Sequence, residues 1–161
     1  LYYLAHSTLA AAALFLVADV AARRRGAFGD TASPGPAFAD RSAAGLMFMI
    51  AAIATCGLPP LSGFIGKLLI LRSVAALPDW GWAWSVILVT TFFGVVGFAR
   101  VGSTVFWKVR ADCETPPAPA IRRADLAAPA LALALLAALA AGAGWASAYA
   151  DAAAAQVLDP A

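Results

Sequence analysis

One lysine lies inside an apolar stretch of the sequence, where a charged side chain is rare. Lys67 follows the run Gly57-Leu58-Pro59-Pro60-Leu61-Ser62-Gly63-Phe64-Ile65-Gly66, within residues 43–77. A lysine in mid-membrane is costly, by a contested ~2.5 kcal/mol upward, and by default indicates a functional site. An amine there can load and unload a proton as nearby charges change. The alternatives are a lysine that snorkels outward, or one paired permanently with an acid on a neighbouring helix.

The proline pair predicts a break in the helix just before this lysine. Proline fixes φ and has no amide hydrogen, so the pair ends a first half-helix near Cys56 and suits the start of a second at about Leu61. Lys67 would then lie in the first two turns of the second half, where the helix dipole and desolvation both disfavour a cation. Irregular backbone is tolerated in hydrocarbon only beside protein or a water-filled cavity. The residues assigned to the break are Gly57, Pro59, Pro60, Ser62 and Gly63.

A lone histidine, His6, lies in the first apolar stretch beside Ser7 and Thr8. Imidazole titrates near neutral pH, so a histidine inside a membrane can relay protons, although it can also be a structural hydrogen bonder between helices. Arg100 either snorkels to the interface or adds a charge to the polar axis. We therefore take Lys67 and His6 as the candidate proton relay, with Ser7, Thr8 and Arg100 as candidate polar-axis residues.

These residues lie in a chain with the composition of a membrane protein. Of its 161 residues, 63% are hydrophobic and 12% are charged, against about 25% charged residues in an ordinary globular domain. We predict an all-α membrane protein with four transmembrane helices, the second discontinuous at Pro59-Pro60. The predicted spans are 1–22, 43–77, 82–107 and 125–149. The predicted connections are a loop at 23–42, a turn at 78–81, a loop at 108–124 and a tail at 150–161.

Basic residues are concentrated in the two predicted loops. They are Arg23, Arg24, Arg25, Arg41, Lys108, Arg110, Arg122 and Arg123. Because four spans alternate sides, the two loops share one face of the membrane, and the positive-inside rule assigns that face to the cytoplasm. We therefore expect a multi-pass protein with both ends of the segment external.

The sequence carries no motif for a cofactor, a metal or a nucleic acid. Two cysteines, Cys56 in an apolar span and Cys113 in a polar loop, give no disulfide or metal framework. We expect no cofactor and no nucleic-acid partner. The chain opens on a leucine already inside an apolar segment, without the basic region of a signal peptide. This opening predicts that the four helices are the last of a longer chain.

Taken together, these motifs resemble the proton-pumping antiporter-like subunits, a family that covers the Mrp-type cation/proton antiporters and related complex I subunits. The resemblance is carried by Leu1-Tyr2-Tyr3-Leu4-Ala5-His6-Ser7-Thr8-Leu9, by the run from Gly57 to Lys67, and by Arg100 with Phe106-Trp107. Within the family, the chain is most similar to the D-type chains of the multisubunit Na+/H+ antiporters. The tail Ala154-Ala155-Gln156-Val157-Leu158-Asp159-Pro160 also resembles the end of those chains.

The resemblance implies a fourteen-helix fold with two inverted repeats, each with a discontinuous helix, of which this chain is the C-terminal part. It implies that Lys67 is the terminal proton carrier and that His6 links it to a central charge. Its implied partners are the other Mrp antiporter subunits, membrane lipid, H+ and Na+, in a bacterial plasma membrane. Ala10 departs from the largest complex I relatives, which carry a lysine there, so the relay would need water, Ser7 or Thr8.

The function expected from these features is cation/proton antiport by a secondary transporter subunit that is not an enzyme. The spans contain no cluster of acidic oxygens suited to Na+, which favours proton transfer over cation binding as the role of this chain. One alternative is a proton-pumping subunit of a redox complex, such as complex I or a membrane-bound hydrogenase. The other is a structural membrane anchor in which Lys67 is held in a permanent ion pair.

Overall fold

The computed structural model describes residues 1–29, 31–38, 40–110 and 124–158 as a helical bundle. Its α-helices are α1 (Tyr2–Arg25), α2 (Arg41–Cys56), α3 (Ser62–Val74), α4 (Trp80–Gly102), α5 (Ala124–Ala141) and α6 (Ala143–Leu158). A 3-10 turn at Gly26–Phe28 follows α1, and a π-helical turn at Ser103–Trp107 continues α4. Most of the predicted loop at 108–124, including Cys113, Arg122 and Arg123, and the tail positions 159–161 lie outside the described residues.

Among the described residues, three helices are long and apolar enough to cross a membrane. They are Tyr2–Phe28, Trp80–Trp107 and Ala124–Ala141, counting the turns that extend the first two. Helices α2 and α3 have 16 and 13 residues, hence lengths of about 24 and 20 Å at the α-helical rise. Each is shorter than the ~30 Å hydrocarbon core. A fourth crossing would therefore need both halves of the broken segment.

The core of the bundle is built on one face of α1. Its buried residues His6, Ala10, Ala13 and Val17 recur every three or four positions, which places them on one side of the helix. Helix α5 packs most extensively against α1, and α2 follows. Alanines dominate the contacts of α1 with α2 and α5. One buried cluster joins Ala10 and Ala13 of α1 to Ala51 and Ala54 of α2 and to Ala132 of α5. Such small side chains let helix backbones approach closely.

The two polar loops meet at one end of the bundle. The Arg110 amide donates to the Gly35 carbonyl at 3.0 Å, which ties the loop after α1 to the segment after α4. Arg24, buried at the end of α1, forms an ion pair with Asp125 at the start of α5 at 3.7 Å. The described parts of the two basic loops therefore share one end of the molecule.

The last part of the chain differs from the prediction. The sequence predicts one span at 125–149 and then a tail, whereas the structure has two helices that meet at Gly142 and continue to Leu158. The Gly142 amide donates to the Ala138 carbonyl at 2.8 Å, and the Ala146 amide donates to the Gly142 carbonyl at 3.0 Å. The helical pattern of backbone hydrogen bonds therefore continues across Gly142. The region after 149 is rich in alanine, the strongest helix former, which explains the longer helix.

Candidate functional site

The helix break predicted at the proline pair lies between Cys56 and Ser62. Gly57 ends α2 with a φ of 66°, a left-handed conformation that favours glycine. Its amide donates to the Ala54 carbonyl at 2.9 Å, and the Leu58 amide donates to the Ile53 carbonyl at 3.1 Å. This pair of bonds is the Schellman arrangement that commonly ends helices. The last carbonyl of α2, that of Cys56, takes no part in it and remains open to another donor.

The Lys67 amine reaches back across the break to that carbonyl. Nζ donates to the Cys56 carbonyl oxygen at 2.7 Å and to Thr91 Oγ1 of α4 at 2.5 Å. The lysine stem lies against Gly57, where an added Cβ would come within 2.7 Å of Lys67 Cδ. Gly57 is therefore needed both for its backbone conformation and for the close approach of the lysine.

This placement corrects the electrostatic environment expected for Lys67. Its position along α3 puts it near the positive, N-terminal end of that helix, which disfavours a cation. The amine instead lies at the C-terminal end of α2, where the partial negative charge of the helix dipole favours one. Within the described residues, both acceptors of Lys67 are neutral and no carboxylate forms an ion pair with it.

His6 contacts the break from another helix, α1. Its side chain is only 2% exposed, and Nδ1 lies 2.8 Å from Ser62 Oγ at the first residue of α3. Either atom can donate, depending on the imidazole tautomer. Gly63 leaves the space that the ring occupies, because a Cβ there would collide with the Ala54 carbonyl and would lie 2.7 Å from His6 Nε2. Ser62 and Gly63, predicted only as break residues, therefore also position the histidine.

The other predicted residues lie away from these contacts. Ser7 Oγ and Thr8 Oγ1 donate to the Leu4 carbonyl of their own helix, at 3.0 and 2.9 Å. The exposed members of the predicted set are Thr8, Arg100, Pro59 and Pro60. The hydroxyl that meets His6 in the structure is that of Ser62, and not that of Ser7 or Thr8.

His6 and Lys67 line separate cavities. One of about 350 Å³ runs along α1 and is lined by His6, Ser7 and Thr55 among mainly apolar side chains. The other, of about 180 Å³, is lined by Lys67, Thr91 and apolar residues of α3 and α4. In the described part of the chain, the hydrogen bonds of the two residues share no partner. The two residues that bond to the break or its flanking helix ends therefore line different cavities, and the cavity at His6 is also lined by Tyr3.

Thr91 is a site residue that the sequence did not single out. From the sequence, it belongs with Thr90, Gly94 and Gly97 to a small-residue packing face of the third span. Two adjacent hydroxyls in the apolar middle of the span, between Val86 and Phe98, were the available signal. The described residues contain no cluster of three or more His, Cys, Asp or Glu side chains that could hold a metal ion.

Comparison with known proteins matches this chain to subunits of cation/proton antiporters and of an NADH-quinone oxidoreductase. Residues 1–94 match the family described as NADH:quinone oxidoreductase/Mrp antiporter, transmembrane. The chain is 33% identical over 164 aligned residues to the D chain of the Na(+)/H(+) antiporter of Bacillus subtilis, an alignment that covers 99% of this chain. It is 29% identical to the D chain of a probable K(+)/H(+) antiporter of Rhizobium meliloti over 66% of this chain. It is 37% identical to NADH-quinone oxidoreductase subunit 14 of Thermus thermophilus over 56% of this chain.

The chain aligns with only part of each of these relatives. It spans 32% of the Bacillus protein, 25% of the Rhizobium protein and 21% of the Thermus protein. No solved structure matches the chain. The matches confirm the resemblance to D-type Mrp antiporter chains that the motifs indicated.

Proposed function

The chain belongs to the NADH:quinone oxidoreductase/Mrp antiporter transmembrane family, and on that premise we propose a function for it. It is a proton-translocating part of a multisubunit monovalent cation/proton antiporter, with Lys67 and His6 as its proton relay. No covalent bond other than those to the transferred protons is made or broken in this function. Transport is a sequence of population shifts between charge states.

The observation that carries the proposal is the way the Lys67 amine is held. Its acceptors are a backbone carbonyl and a hydroxyl, at 2.7 and 2.5 Å. An amine in a buried ion pair would leave an uncompensated carboxylate when it lost its proton, at a large cost. Neutral acceptors impose no such cost, so this lysine can change its protonation state in place.

The surroundings of His6 support a second titratable position on the same path. The imidazole bonds to Ser62, the residue that begins α3, while Lys67 lies on the next turn of the same helix and reaches the end of α2. Protons would pass from the cavity at His6, across the break, to the cavity at Lys67. Broken helices near the midplane are a recurrent way for transporters to build ion sites.

The remaining parts of the proposal concern the assembly. The partners are other Mrp antiporter subunits and membrane lipid, in a bacterial plasma membrane with the basic loops cytoplasmic and both ends of the segment external. The four-span topology within a fourteen-helix fold belongs to the same proposal. The relatives include one chain named for Na+ and one named for K+, and we propose Na+ as the cation exchanged by the complex.

A second candidate function is a proton-pumping subunit of a respiratory redox complex. It is favoured by the similarity to the Thermus NADH-quinone oxidoreductase chain, at 37% identity over 91 residues. The two candidates differ in their neighbouring chains. Affinity purification of the intact complex would recover iron–sulfur or quinone-binding subunits for the redox complex, and antiporter subunits for the Mrp complex.

The test of the antiport proposal is a Lys67→Ala substitution in the complete complex, with cation-dependent proton flux measured in inverted membrane vesicles. We expect a loss of about tenfold or more, since positioned proton-transfer groups contribute factors of about 10² to 10⁴. Arg72→Ala is the matched control, because Arg72 lies on the same helix and is exposed. A Lys67→Ala complex that assembles and keeps its flux would favour the structural-anchor alternative. A His6→Ala complex with unchanged flux would indicate that the histidine is a structural hydrogen bonder and not a proton relay.

A further inference from the structure

Two adjacent threonines of α4 use their hydroxyls in different ways. Thr90 Oγ1 donates to the carbonyls of Val86 and Ile87 in its own helix, at 2.7 and 3.2 Å. Thr91 Oγ1 instead meets Lys67 Nζ at 2.5 Å and forms no hydrogen bond to its own helix within the described residues. The Thr91 hydroxyl is therefore available to the amine alone.

The two acceptors of Lys67 differ in what they can offer when the proton leaves. A lysine ammonium has three donors and no acceptor, whereas the free amine keeps two N–H donors and gains a lone pair that can accept a hydrogen bond. The Cys56 carbonyl can only accept. The Thr91 hydroxyl has one donor and two acceptor positions, so it can bond to either form of the amine. The carbonyl can accept from an N–H of either form, but of the two partners only Thr91 can donate to the lone pair that the amine gains when the proton leaves.

We propose that Thr91 is a positioning residue that keeps the Lys67 amine at the helix break in both protonation states, accepting from the ammonium and donating to the free amine. This inference rests on the proposed function of Lys67 as a proton carrier. A lysine has a flexible four-carbon stem, and a neutral amine held only through its N–H groups is bound more weakly than the charged ammonium, so it would leave the break more readily. Thr91 holds it at the edge of the cavity of about 180 Å³ that both residues line, so that the proton is always released at the same place.

The experiment compares hydroxyl-retaining and hydroxyl-deleting variants in the complete complex. Thr91→Val keeps the side-chain shape and removes the hydroxyl. We expect the cation-dependent proton flux per assembled complex to fall about three- to tenfold, the range for one hydrogen bond. Thr91→Ser should restore most of the flux, because it returns the hydroxyl. Thr90→Val is the control and should leave the flux unchanged, because that hydroxyl bonds only within its own helix.

Each outcome separates this inference from the function on which it rests. Unchanged flux in Thr91→Val, or a Thr91→Ser variant as slow as Thr91→Val, would overturn the positioning role. The antiport proposal would still stand if Lys67→Ala lost its flux in the same assay. If Thr91→Val prevents assembly, the comparison of Thr91→Ala with Thr91→Ser in the assembled fraction decides the question in the same way.

Discussion

The molecule holds two inward-turned basic side chains by the same means, at opposite parts of the fold. Lys67 at the helix break donates to the Cys56 carbonyl. Arg25, 2% exposed at the end of α1, donates to the Thr31 carbonyl at 2.6 Å and to that of Ser33. Within the described residues, neither forms an ion pair with a carboxylate. In both places the chain turns sharply and leaves backbone carbonyls for a cation to satisfy.

The difference between the two regions lies in the side-chain chemistry. An arginine stays charged at all physiological pH values, and its rigid, planar fork suits two carbonyls of one loop. A lysine has a rotatable ammonium that can lose its proton when buried. Backbone carbonyls thus hold a permanently charged side chain at Arg25, whereas at Lys67 a carbonyl and a hydroxyl hold the amine for which we propose a proton-carrier role. Carbonyl acceptors around a basic side chain therefore do not by themselves indicate a proton-transfer role.

The strongest test of this comparison makes the two sites alike, through a Lys67→Arg substitution. The charge is kept but the guanidinium does not release its proton. We expect the complex to assemble and its cation-dependent proton flux to fall by about tenfold or more. Flux in inverted vesicles, divided by the amount of assembled complex, is the measurement. Retained flux would mean that residue 67 need not lose its proton, and the distinction between the two regions would fail.

A smaller effect is expected at the other site. Arg25→Ala leaves the Thr31 and Ser33 carbonyls without their donor, so the stability should fall by about 1 to 3 kcal/mol. The flux per folded complex should persist, because the site is structural. The thermal unfolding midpoint of the purified complex checks this. Arg23→Ala is the control at the same helix end, since Arg23 and its partner Asp19 are exposed. An Arg25→Ala complex of unchanged midpoint would argue against the anchor.

The third test concerns the close packing around the break. Gly63→Ala would push a Cβ into the Ala54 carbonyl and the His6 ring, and such overpacking costs about 1 to 3 kcal/mol. Gly97→Ala is the matched control, because nothing lies within 4 Å of a Cβ at that position. Thermal unfolding and flux of the two variants should therefore diverge. Equal behaviour would show that the break adapts to a side chain, and that the His6 contact is not tightly constrained.

Much of the candidate site follows from local chemistry. The Gly57 and Pro59-Pro60 signals indicate a helix break, and the structure ends α2 at Cys56 and begins α3 at Ser62. The apolar surroundings single out Lys67 and His6 in the same local way.

The polar axis could not be predicted from local chemistry. The Ser7 and Thr8 hydroxyls bond within α1, and Arg100 is exposed. The direction of each of these side chains depends on how its helix is rotated in the bundle, and this rotation cannot be inferred from the residue type.

Composition and proline chemistry are enough to predict a helical membrane chain with a broken segment, because they act on residues that are near one another in the sequence. The groups that meet across the break depend instead on how the helices pack. Thr91 lies on another helix from Lys67, and Ser62 on another helix from His6. Such pairings depend on helix rotation and on the close approach that glycines at the break permit. A helix presents a different face at every residue, so a change in packing would replace these partners without altering any local signal.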